Sequence, residues 1–290
     1  MRNYIFSKLE SRGEDGEKFF RKWEEIEKRV ELNNLEQFLR YSSFLLKKEE
    51  GGLEEKNLYG RIERYTITNS PVTVIEFLYE LSDFYARILN PDSDGCDDDV
   101  ESELLNELDI LNVTQARSII LAAYKKYSRE DRNNLIRFII SFTLRYSISG
   151  KNPNKLEKRY AELAYQIYNE GLTLKEVKGV ISPLVSEEEF ELNFPNNEFK
   201  KTELPRYILS KMENYLSSGE KKVDPKSVHL EHIMPKKIEK WGSENPVYYE
   251  IWGKYINTIG NMIILLDNIN IRIKNGIFSK KKEKYEESDI

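Results

Sequence analysis

The chain has 290 residues, of which 33 % are charged and 39 % apolar, with a single cysteine and a formal net charge of −5. That length can bury a sizeable core in one large domain or two ordinary ones, and that apolar share excludes a disordered chain. Cys96 alone makes neither an internal disulfide nor a thiolate metal cage, no apolar run reaches the ~20 residues needed to cross a bilayer, and "MRNYIFSKLE" lacks the apolar core of a signal peptide, so a cytoplasmic protein is expected.

Most of the first 220 residues read as amphipathic helices. "EKFFRKWEEIEKRV" spaces Phe19, Phe20, Trp23, Ile26 and Val30 at three-to-four intervals with charge between them, and "NNLEQFLRYSSFLL" repeats the pattern through Leu35, Phe38, Leu39, Phe44 and Leu45. "SPVTVIEFLYELSDFYARIL" opens with Ser70 as N-cap and Pro71 in the first turn. The acidic run "NPDSDGCDDDVESE" then interrupts the helices. Aligned to a calcium loop it sets Asn90, Asp92, Asp94, Gly95 and Glu101 at positions one, three, five, six and twelve, but Asn stands first and Asp97 fills the usually apolar eighth position. A solvated acidic loop is the expectation, with calcium binding left open. Helices follow at about 101–112, 114–128, 130–148 and 154–170, the last stopped by Asn169-Glu170-Gly171. "SISGKNPNK" reads as a linker, and a further helix spans about 204–217.

Beyond 220 the texture changes. Residues 221–290 carry 13 Lys and Arg against 10 Asp and Glu, while the preceding residues are net acidic. Short β-type runs occur at 227–235 and 261–266, and a basic, helical tail follows. His229 and His232, the two histidines of the chain, lie in the first run with Glu231 between them. Phosphodiester hydrolysis needs a base to deprotonate water and a cation to balance developing negative charge. Histidine suits the first role near neutral pH, and a hard hydrated cation needs only one or two protein oxygens. On a strand Glu231 and His232 point to opposite faces, so they converge only at a bend or strand end, for which Pro235 is suitable. His229 shares a face with Glu231 and either approaches the metal or a phosphate, or is a half-buried strand residue.

"LEHIMP" followed by "IGNMIILLDNIN" resembles the HNH endonuclease motif on the ββα-metal fold. The resemblance implies a divalent metal, Mg²⁺ or Mn²⁺, with Glu231 and Asn270 as its ligands. It also implies that His232 is the general base and that Asn261 braces the loop holding the histidine. "KNGIFSKKKEKYEES" supplies Asn275, Phe278, Lys281, Tyr285 and Ser288 in the order seen in modification-dependent (type IV) restriction enzymes of the Gmr type, so the chain resembles that subfamily. Arg272, Lys274 and Lys281 are then the expected contacts to the DNA backbone. In such proteins the helical region follows a ParB-like NTPase domain. Its motifs are not in this sequence, so an NTPase subunit or domain is an expected partner and nucleotide control is not expected of this polypeptide alone.

The expected fold is mostly α, a helical N-terminal region with a small C-terminal ββα-metal unit. The expected division is a helical domain at 1–150, a helical lead-in at 151–220 and the nuclease at 221–290. The expected function is metal-dependent cleavage of DNA in prokaryotic defence, with no membrane partner and homo-oligomerisation left open. A non-catalytic helical module that binds DNA or a partner, with a structural HNH unit, is the alternative reading, and an RNA-directed nuclease is a third.

Overall fold

The computed structural model describes residues 2–10, 16–46, 58–92, 95–218, 222–266 and 278–288. They pack as two compact units, one of Met1–Ser147 with Lys151–Leu184 and the other of Ile148–Gly150 with Val185–Ile290. The packing boundary at Leu184 and Val185 falls inside the segment read from sequence as a lead-in. The fold is mostly α with one small antiparallel sheet near the C-terminus.

The first unit is helical. Its elements are α1 (Arg2–Glu10), α2 (Gly16–Val30), α3 (Leu35–Ser43), α4 (Leu58–Thr68), α5 (Pro71–Leu89), α6 (Asp99–Ile110), α7 (Arg117–Lys126), α8 (Arg129–Ile148), α9 (Leu156–Glu170) and α10 (Leu174–Ile181). In α2 the apolar spacing buries Phe19, Trp23, Ile26 and Val30 as one stripe, which packs on α5. α5 begins where the sequence places it, with the Ser70 hydroxyl accepting from the Thr73 N–H at 3.2 Å and Pro71 in the first turn. α7 is deeply buried. Ile119, Ile120, Leu121, Ala122 and Ala123 are all buried, and the two alanines let α9 pack closely against it. α9 ends at Gly171, whose φ of 73° is the left-handed conformation that favours glycine.

The acidic stretch is exposed at Asp92, Gly95, Asp97 and Asp99, as expected, but the Asp97 charge is paired and Glu101 at its end is internal. Asp97 joins Arg87 at 2.7 Å and Arg132 at 2.6 Å, and Asp98 caps α6. Glu101 is 0 % exposed, forms an ion pair with Arg132 at 3.2 Å, accepts from the Asp97 N–H at 2.5 Å and takes the Tyr124 hydroxyl. The Arg132 guanidinium lies over the Tyr124 ring at 4.4 Å. Against the upward push of burial, the bonds from Arg132 and Arg87 hold the Asp97 carboxyl below the usual range. The residue that would close a calcium loop is thus already committed to an internal cation. Asp94 lies outside the described residues.

The second unit contains α11 (Glu187–Asn193), α12 (Glu203–Leu216), β1 (His229–His232), α13 (Glu239–Glu244), α14 (Val247–Tyr255), β2 (Met262–Leu265) and α15 (Phe278–Tyr285). The strands are antiparallel, with His229 opposite Leu265, Leu230 opposite Ile264, Glu231 opposite Ile263 and His232 opposite Met262. α12 covers one face of the sheet, where Leu209 and Leu230 pack on Val223, Val228 and Ile264. Arg206 reaches the Val228 carbonyl at 3.3 Å from the same helix. α13 and α14, which the sequence reading did not delimit, bury Trp241 against Tyr248 and Trp252 together with Met234 and Ile238. Among the described residues no helix is long and apolar enough to cross a membrane.

Candidate active site

His232 is the last residue of β1 and the chain turns immediately after it. The turn is held from two sides. From one, the Trp252 indole donates to the Pro235 carbonyl at 3.1 Å. From the other, Asn261, in the 3-10 turn that opens β2, makes a set of bonds that only a primary amide can make at one position. Its Oδ1 accepts from the Met234 N–H at 2.8 Å, and its Nδ2 donates to the carbonyls of Met234 and Ile256, both at 3.1 Å. Its own carbonyl accepts from the Ile233 N–H at 2.9 Å. Asn261 is 7 % exposed, so each of these bonds satisfies a group that water reaches poorly.

The His232 side chain is 8 % exposed, and its Nε2 has no hydrogen-bond partner among the described residues. Burial, followed by the positive charges of Lys236 and Lys281, depresses its pKa to about 4. The imidazole is therefore neutral near pH 7, with a basic nitrogen available. Buried polar atoms ordinarily have partners, so a ring nitrogen without one among the described residues is a candidate reacting atom.

Glu231 is half-buried one residue earlier, on the opposite face by strand alternation. The element that joins the two residues is α15. The Lys281 ammonium donates to Glu231 Oε1 at 2.6 Å and to the His232 carbonyl at 2.7 Å. Lys281 is 1 % exposed, which differs from the solvent-facing placement that a DNA-backbone contact requires. Tyr285, on the same helix, packs with Ile263 against Leu265. Its buried hydroxyl also has no partner among the described residues, and burial, then the Glu231 charge, raises its pKa. Sequence reasoning gave neither Lys236 nor the Tyr285 hydroxyl a role. The signal available for Tyr285 was its place in the tail pattern.

His229, at the exposed start of β1, lies away from the buried end that carries His232. Asn270, Arg272 and Lys274 lie outside the described residues. Among the described residues no three His, Cys, Asp or Glu side chains form a metal-holding group. A hard hydrated cation takes one or two carboxylate oxygens and keeps its waters, and Glu231 is suited to such an ion. Glu231 has a second oxygen beyond the one that Lys281 engages, and a carboxylate accepts on both.

Residues 184–290 match the family model described as GmrSD restriction endonucleases, C-terminal domain. The match starts at the packing boundary between the two units and runs through the second. The Gmr-type resemblance read from the motif residues thus holds over that segment. No curated protein matches the chain.

Proposed function

We propose that the second unit is an HNH-type nuclease that hydrolyses DNA phosphodiester bonds with the help of a divalent cation, Mg²⁺ or Mn²⁺, in a prokaryotic restriction or anti-phage system. The observation that carries the reading is His232, a buried neutral imidazole whose Nε2 has no partner among the described residues, next in sequence to the Glu231 carboxylate and at a turn braced by Asn261. The family match over 184–290 supports the nuclease class.

In this reading His232 Nε2 takes a proton from the water that attacks phosphorus in line. Neutrality near pH 7 is what lets it do so. Asn261 keeps the turn closed, so the ring meets the water at a fixed angle. Glu231 and Asn270 hold the cation, which when bound supplies charge balance at the scissile phosphate and at the departing 3′ oxygen. Arg272 and Lys274 contact the DNA backbone. A ParB-like NTPase, as subunit or domain, is the proposed partner.

The test is plasmid cleavage by the purified chain with Mg²⁺, Mn²⁺ or EDTA. Cleavage with either metal and none with EDTA is expected, and His232→Ala should lower the rate by about 10²- to 10⁴-fold, the usual contribution of a general base. Undiminished cutting by His232→Ala sinks the mechanism. Absence of cutting with any metal, with or without an NTPase partner and nucleotide, favours the non-catalytic reading. Replacing the plasmid by RNA separates the two nucleic acids.

A further inference from the structure

The buried side chain of α15 is a lysine, while Phe278, Ser279, Lys280, Lys282 and Glu283 around it are exposed. This is a costly way to dock a short helix. An ammonium leaves water only with partners, and a buried ion pair is often matched or bettered in stability by an apolar side chain of similar volume. Stability of the fold alone therefore does not account for Lys281. What distinguishes it is where its donors go. One reaches the side chain of Glu231 and another the main chain of His232, two adjacent residues whose side chains diverge by strand geometry. A lysine is suited to this, since it offers three rotatable donors at one point.

We propose that Lys281 is a positioning residue of this site: its ammonium clamps the Glu231 carboxylate to the backbone of His232, so that α15 must be docked for ligand and base to be held together. The inference rests on the proposed nuclease function and assigns Lys281 a role that is neither phosphate contact nor proton transfer. It carries a signature. The ammonium on one Glu231 oxygen repels a cation on the other, so removing it does not weaken cation binding, yet the catalytic geometry is lost. A purely structural residue would weaken both.

The experiment compares wild type with Lys281→Met and, as a control on the same helix, Lys282→Met. Mn²⁺ binding is measured without DNA by calorimetry or by electron paramagnetic resonance, and kcat and KM for plasmid DNA are measured separately. For Lys281→Met kcat is expected to fall on the order of a hundredfold, the scale of a misplaced catalytic group, with KM within threefold and Mn²⁺ bound at least as tightly as by wild type. Lys282→Met should keep kcat. A Lys281→Met enzyme with kcat within threefold of wild type overturns the proposal, and so does a parallel loss of kcat and Mn²⁺ affinity that tracks the fraction unfolded in urea. A double-mutant cycle between Lys281→Met and Glu231→Gln, read from urea unfolding of the metal-free protein, needs no activity. Coupling above about fivefold in the folding equilibrium supports the clamp and absence of coupling overturns it. If wild type cuts nothing, the proposed function fails and the cycle alone decides the clamp.

Discussion

At the scale of single residues, the turn after β1 is braced by one amide. Replacing Asn261 by alanine leaves the Met234 N–H and the carbonyls of Met234 and Ile256 without their partners in a poorly hydrated place. We expect Asn261→Ala to cost about 2–4 kcal/mol in urea unfolding, the range for stranding several buried polar groups. Asn261→Asp should also be destabilising, because it keeps the acceptor but loses the donors. His232 gives a pH test in the metal-free protein. Its folded pKa of about 4 lies below the unfolded value of 6.5, so between these limits the unfolded chain binds more protons. Its contribution is present above pH 6.5 and lost as pH falls toward 4. Wild type should lose about 1–2 kcal/mol more than His232→Gln between pH 7 and pH 5. An equal loss in both proteins would show that the ring is not desolvated as described.

At the scale of elements, α2 follows the three-to-four apolar spacing closely because it buries one stripe, whereas α7 is buried on all its faces from Ser118 to Tyr124. Ser70 with Pro71, and Gly171, are start and stop signals whose physics is local, so they were legible without any tertiary information. Two glycines near the α9–α10 junction make opposite predictions. Gly171 sits at φ 73°, so Gly171→Ala should destabilise by about 1 kcal/mol. Gly179 lies inside α10 on its exposed face with open space where a Cβ would go, so Gly179→Ala should stabilise by about 0.5–1 kcal/mol. Thermal melts of both variants check the pair. α13 and α14 escaped sequence reading because Gly242, Asn245, Pro246 and Gly253 punctuate them into lengths of six and nine residues, too short for a periodic pattern to stand out. They exist because Trp241, Tyr248 and Trp252 share one cluster beneath the turn that follows His232.

At the scale of the whole molecule, charge is spent in two different ways. Many ion pairs, such as Arg21 with Glu17, are exposed and contribute little. Others are internal, among them a set around Glu101 in the first unit and one around Lys281 in the second. Glu101→Ala leaves the Tyr124 hydroxyl without its acceptor and Arg132 with Asp97 as its remaining carboxylate, so a loss of about 1–3 kcal/mol is expected, as for stranding a buried polar group. Since Glu101 is engaged by Arg132, calcium should leave the melting temperature of the chain unchanged even at millimolar concentration. A calcium-dependent rise in melting temperature would count against the arrangement of this loop.

Local chemistry determined much of this protein. Apolar periodicity, caps and stops set the helical class, and the β-type runs at 227–235 and 261–266 set the two strands, observed at His229–His232 and Met262–Leu265. The pattern of Glu231, His232, Asn261 and the tail pointed to the segment that matches the family. What only the tertiary structure decided is which charges are inside. A lysine within "SKKKEK" and a glutamate within "DDDVESE" carry no local sign of burial, because runs of like charge are ordinarily solvated. Burial of an ion is settled by whether a partner waits at the right distance on another element. For Lys281 that partner is 50 residues away on β1, and for Glu101 the Tyr124 hydroxyl is 23 residues away on α7.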